Sequence, residues 1–267
     1  MTAKLLAHTV EITGPDAIAF AHAQFSSRVN SLAIGQWQFS AWLDARGRVQ
    51  SLFHLARCAE DTLILLLRGG DAATLAMALR RFVFRSRVSI VAAAPRQLGS
   101  GPALPLYSVH CGQDTLAFGC GDHTLHIGRD GNGDMRWRLQ QLRAGWPWLP
   151  DMALDRWLAP DLSLLRLQAV VTDKGCYPGQ EIVARLHFRG IHKNHLCNIH
   201  FPMEMHPGEQ LRMDGRDAGC VLDAVATDTG FEALAVLDDE ALRQIADRRL
   251  DVHVENSQIE LRQAWPA

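Results

Sequence analysis

Several things are scarce in this chain, and each scarcity removes a class of function. Apolar runs are short, and Leu63 to Leu67 falls far below the length that crosses a bilayer. No basic head followed by a sufficient apolar run opens the sequence, so no secretory signal is expected. The six cysteines, Cys58, Cys111, Cys120, Cys176, Cys197 and Cys220, include no CxxC pair. That argues against a zinc knuckle and a disulfide framework, and a cytoplasmic setting is the simple expectation. Neither charge sign dominates, with a formal net charge of −2, so direct nucleic-acid binding is not expected. No P-loop, dinucleotide fingerprint or Ser-His-Asp order can be defended. His187, His192, His195, His200 and His206 fit no familiar zinc spacing, and no metal site is expected.

What remains is an ordinary globule of 267 residues, 48% hydrophobic, able to bury a real core. Thr62 to Leu67 reads as a buried strand, and Asp71 can cap a helix carrying Leu75, Met77, Ala78, Leu79 and Phe82. Arg87 to Val91 returns to strand. The glycines and prolines of residues 95–105 read as a flexible connector. Short strands are expected near residues 106–109, 115–118 and 124–127, then a turn over 128–133. Residues 135–142 are ambiguous, and 155–167 read as helix interrupted at Pro160. Beyond Gly190, six short strand candidates at regular spacing favour a small β-barrel.

The most informative stretch is residues 174–181, Lys-Gly-Cys-Tyr-Pro-Gly-Gln-Glu. Pro178 presets φ and Gly179 can take a positive φ, the chemistry of a type II turn. From Gln180 onward, Ile182, Val183 and Leu186 share one helical face, and Gly190 offers a stop. Cys176 then sits just before a helix N-terminus with Lys174 nearby, a setting that favours thiolate.

The octapeptide resembles the signature of the YgfZ-type folate-binding proteins, relatives of the glycine-cleavage aminomethyltransferase. The likeness continues through Val183-Ala184-Arg185 and Phe188-Arg189-Gly190. Weaker echoes are Ile12-Thr13-Gly14, the hairpin Asp44-Ala45-Arg46-Gly47-Arg48, Trp137 eight residues before Gly145, and Ala144-Gly145-Trp146-Pro147. The chain departs from the family pattern at Ala23 and Arg28, where glycine and aspartate are frequent. It departs again at Arg143, usually glutamate, and at Ser163, often asparagine.

The resemblance implies an α+β fold with two lobes in a ring-like arrangement and a C-terminal β-barrel, here drawn as 1–190 and 191–267. It implies tetrahydrofolate or a derivative as ligand. It further implies support of iron–sulfur cluster assembly or repair, with iron–sulfur proteins or tRNA-modifying enzymes as partners. Cys176 and Lys174 are then the chemical residues. Trp137, Tyr177, Glu181 and Arg185 are assigned to the ligand, with Gly175, Gly179 and Gln180 shaping the turn. Two other readings stay open: a folate-dependent aminomethyltransferase, and a non-catalytic RNA- or protein-binding scaffold. Whether the chain turns over a substrate is left undecided by its sequence.

Overall fold

The computed structural model describes residues 5–128, 135–190, 192–213, 215–246, 253–254 and 257–266. The architecture is α+β, with three five-stranded antiparallel sheets, a short two-stranded ribbon and five α-helices among the described residues. The chain divides into two units. The first comprises Met1–Leu43, Gln50–Trp137 and Gln168–Pro178, and the second Asp44–Val49, Arg138–Leu167 and Gly179–Ala267.

In the first unit, β1 (Leu6–Ala7), β2 (Thr9–Thr13), α1 (Ala17–Gln24) and β3 (Gln36–Leu43) lead into β4 (Val49–Ala59) and β5 (Thr62–Leu67). Then come α2 (Ala72–Arg80), β6 (Ser89–Ala92), β7 (Arg96–Gly101), β8 (Val109–Cys111), β9 (Leu116–Gly119) and β10 (Thr124–Gly128). One sheet runs β3-β4-β5-β2-β6 and the other β1-β7-β10-β9-β8. α2 starts where Asp71 accepts from the Thr74 amide at 2.8 Å, and it turns Leu75, Ala76 and Leu79 into the core with Phe25, Phe53 and Leu65. Met77 is exposed on this helix, and Phe82, expected within it, lies past its end and is also exposed. The sheets are stitched where the Trp37 indole donates to the Gly119 carbonyl at 2.9 Å and where Cys58 bonds Cys111. The cysteine spacing argues against a disulfide framework, and a single bridge forms among the described residues; the described free thiols are Cys120, Cys176, Cys197 and Cys220.

Residues 96–101, read as part of a connector, form β7 between β1 and β10. Ladder bonds on both sides satisfy a backbone whose side chains gave no strand signal, and Leu98 is fully buried. The turn expected over 128–133 lies, beyond Gly128, outside the described residues.

The second unit receives α3 (Arg136–Arg143) and holds α4 (Gln180–Arg189), β11 (Asn194–Phe201), β12 (Gln210–Met213), β13 (Arg216–Thr227) and β14 (Gly230–Asp238). These are followed by α5 (Asp239–Ala246), β15 (His253–Val254), β16 (Ser257–Gln258) and β17 (Glu260–Ala264). Its large sheet is ordered β12-β13-β14-β11-β17. Cys197, Ile199, Val221, Ala235 and Leu237 form its core with Ala241 and Ile245 of α5. Residues 155–167 are not an α-helix. Asp155, Ser163 and Gln168 all take positive φ, and only a 3-10 turn at Pro160–Leu162 forms. Ser163, at φ 54°, occupies a left-handed position that asparagine adopts more readily than most residues.

No helix among the described residues is long and apolar enough to cross a membrane.

Candidate functional site

The signature segment is anchored in the first unit before it reaches Cys176. The Ser26 hydroxyl bridges the Ala41 and Ala169 carbonyls at 2.9 and 2.7 Å, and the Val171 amide donates to the Ser26 carbonyl. The Lys174 ammonium donates to the carbonyls of His22, Phe25 and Ser27, the last at 3.1 Å. It therefore closes the C-terminus of α1, where carbonyls lack helical partners and the dipole favours a cation. Burial draws its pKa down to about 8, helped by the charge of Arg28. The same ammonium lies 5.0 Å from the centre of the Tyr177 ring, and the Tyr177 hydroxyl donates to the Val171 carbonyl at 2.8 Å. Burial raises the Tyr177 pKa beyond the ordinary phenol range.

Between these two anchors Cys176 is an exposed free thiol. Lys174 and Tyr177 grip the fold on either side, leaving Gly175 and Cys176 outward. A Cβ on Gly175 would meet nothing within 4 Å, and no positive φ requires glycine there. Gly175 is thus not the backbone permission that its place beside a turn suggests.

Arg28 pairs with Asp173 at 2.6 Å, one residue before Lys174. His22, which also lends a carbonyl to Lys174, has its ring pKa lowered by burial and then by Lys174 and Arg28.

Trp137 and Tyr177 are 1% and 6% exposed, so both rings are packed and neither offers an open face to solvent. For Trp137 the sequence left burial and cleft-lining equally open.

The rest of the signature belongs to the second unit. Gly179 has φ +79°, as the third position of a type II turn requires, and α4 begins at the next residue. Its space is also needed: a Cβ there would lie 2.5 Å from the Asp44 carbonyl oxygen and 2.9 Å from the Gly47 Cα. Gly47, φ +78°, is packed in turn against Ile182 of α4. The Asp44 carboxylate accepts from the amides of Arg46 and Arg48 at 2.9 and 2.8 Å, fixing the hairpin. Two motifs far apart in sequence therefore meet backbone to backbone. Sequence reasoning found both and not the contact between them; the paired glycines were the available signal. Glu181 and Arg185 are exposed on α4, and Arg185 lines a cavity of about 700 Å³.

Arg143 ends α3 and forms a two-pronged pair with Glu232 of β14, with Nε to Oε2 at 2.8 Å. This pairing raises the Arg143 pKa and holds Glu232 below the usual carboxylate value. Gly145 at φ +66° abuts the Trp265 ring, which a Cβ would approach to 2.6 Å. Arg166 donates to the Ala144 and Gly145 carbonyls and lies over the same indole.

No family model matches the chain. It is 25% identical over 272 residues to the tRNA-modifying protein YgfZ of Edwardsiella ictaluri, covering 86% of this chain and 82% of that one. Against the protein of the same name from Cronobacter sakazakii it is 26% identical over 258 residues, covering 82% and 78%. The chain is similar over most of its length to proteins named YgfZ. An uncharacterized Haemophilus influenzae protein is 25% identical over 235 residues, covering 82% of each. In structure, the chain is similar to the glycine cleavage system aminomethyltransferase T of Bartonella henselae. The TM-score is 0.66 at 16% identity, over 87% of this chain and 76% of that one, a likeness of fold.

Proposed function

We propose that this protein binds a reduced folate, tetrahydrofolate or a derivative, and supports iron–sulfur cluster assembly or repair. The clients are cluster-dependent enzymes, including those that modify tRNA, in the cytoplasm. The observation that carries the reading is the presentation of Cys176. It is an exposed thiol beside a glycine that nothing in the fold demands, on a strap pinned by Lys174 and Tyr177. A surface thiol held this way suits a sulfur ligand or nucleophile. The name borne by the relatives, tRNA-modifying protein, supports the choice of client.

Folate itself is implied by the motif, and the residues fit it unequally. In the second unit, the exposed carboxylate of Glu181 can accept from a pterin's amino and ring N–H groups, and the Arg185 guanidinium can meet a glutamate tail. Gly179 and Gln180 set the start of the helix that carries them. In the first unit, Trp137 and Tyr177 serve as a packed wall and not as an open platform. Lys174 acts by positioning, since its ammonium is committed to three carbonyls.

Titrating tetrahydrofolate against tryptophan fluorescence tests the ligand: the wild type should respond saturably, and Trp137→Ala should respond less. A flat signal in both proteins would refute folate binding. For the thiol, Cys176→Ala should lose support of a cluster-dependent tRNA-modifying enzyme in cells while keeping its fold and its folate response. Full support from that variant removes Cys176 from the chemistry.

A further inference from the structure

We propose that the cavity of the second unit is a binding site for a small organic polyphosphate, such as a nucleoside diphosphate. The cavity measures about 700 Å³, within the range of small-molecule sites. Arg46 and Arg48 reach it from the hairpin, Arg156 from the segment before the 3-10 turn, and Arg185 from α4.

The inference rests on how these charges are balanced. Three carboxylates also line the cavity, and each is committed elsewhere. Asp217 pairs with Arg212 and Asp238 with Arg216, two arginines outside the lining. Asp161 is buried, accepting from the Leu158 amide at 2.9 Å and from Asn194 at 3.2 Å. The four lining arginines have no carboxylate partner among the described residues. Arg48 donates to the Asp155 carbonyl and Arg156 to the Gln210 amide oxygen, both neutral acceptors. For Arg46 and Arg185 no side-chain partner is present among the described residues.

Four uncompensated guanidiniums around one cavity suit a ligand with several adjacent negative charges. Forked N–H donors match phosphate oxygens, and a single carboxylate would leave most of that charge unmet. Leu158, Ile182 and Leu186 add an apolar wall for an uncharged body, which inorganic phosphate lacks. The hairpin that presents Arg46 and Arg48 is held against α4, which presents Arg185, by the Gly47–Ile182 and Gly179–Asp44 contacts, so the backbone beneath these three arginines is fixed.

The proposal does not rest on folate binding, although Arg185 figures in both. Isothermal titration of the full chain with ADP and with inorganic pyrophosphate tests it. Saturable binding of ADP, tighter than of pyrophosphate, is expected. Arg46→Gln and Arg156→Gln should each weaken ADP by about ten-fold, the scale of a lost charge-assisted hydrogen bond. Arg81→Gln makes the same change in net charge on the first unit and should leave affinity unchanged. Unfolding midpoints of the ligand-free variants confirm that each is folded. Three results would overturn the site: no saturable ADP binding, equal affinity in all variants, or an Arg46- and Arg156-dependent affinity for tRNA alone.

Discussion

Gly175 and Gly179 stand on either side of Cys176 and Tyr177, and a sequence motif treats them alike. Physically they differ. Gly179 combines positive φ with a backbone approach that leaves no space for a Cβ, so Gly179→Ala should cost about 2–4 kcal/mol in urea unfolding. Gly175→Ala should change stability by less than about 0.5 kcal/mol, because its added methyl meets nothing. If Gly175→Ala also impairs function, the small residue serves access to the thiol. Equal stability losses in the two variants would contradict the packing described. Lys174 supplies a pH test at the same scale. Its folded pKa, about 8, lies below the ordinary lysine value of 10.5. Between those two values the unfolded chain binds more protons than the folded one, so this group's contribution to stability rises with pH. Wild type should therefore gain stability relative to Lys174→Met across that window, and a constant gap would show that the ammonium is not desolvated.

Among the elements, α3 is tied to the sheet of its own unit by two ion pairs, Arg138 with Asp223 of β13 and Arg143 with Glu232 of β14. Glu232 is buried, so removing its partner leaves a carboxylate without its main compensation. Arg143→Met should destabilise by about 1–3 kcal/mol. Arg143→Glu should destabilise more, because it sets two carboxylates together; equal losses would mean that the pair is only decorative. What the sequence disclosed about elements follows the range of the forces involved. The turn at Pro178-Gly179 and the helix after it were legible because φ preferences and helical periodicity act over a few residues. β7 was not, since a strand of Arg-Gln-Leu-Gly-Ser-Gly is made by the two neighbours that bond it. The absence of helix over 155–167 goes with two left-handed residues, Asp155 and Ser163, that no local preference signals. The anchors of Lys174 and the arginine lining of the cavity depend on partners more than a hundred residues away, beyond any motif.

At the scale of the whole chain, each unit has a core of its own, one around Phe25, Phe53 and Leu65 and the other around Ile199, Val221 and Leu237. The disulfide belongs wholly to the first. It joins β4 of one sheet to β8 of the other across a sequence separation of 53 residues. Closing a loop of that length removes enough freedom from the unfolded chain to be worth up to about 4 kcal/mol. Reduction, or the double substitution Cys58→Ser with Cys111→Ser, should therefore lower the stability of the first unit and spare the second. Hydrogen exchange separates the two: amides of β4, β5, β8 and β9 should lose protection on reduction, while those of β11, β13 and β14 keep theirs. Uniform loss across both sets would mean that the units unfold as one. No loss in either would mean that the sheets of the first unit are held by their hydrogen bonds and by Trp37 without help from the bridge.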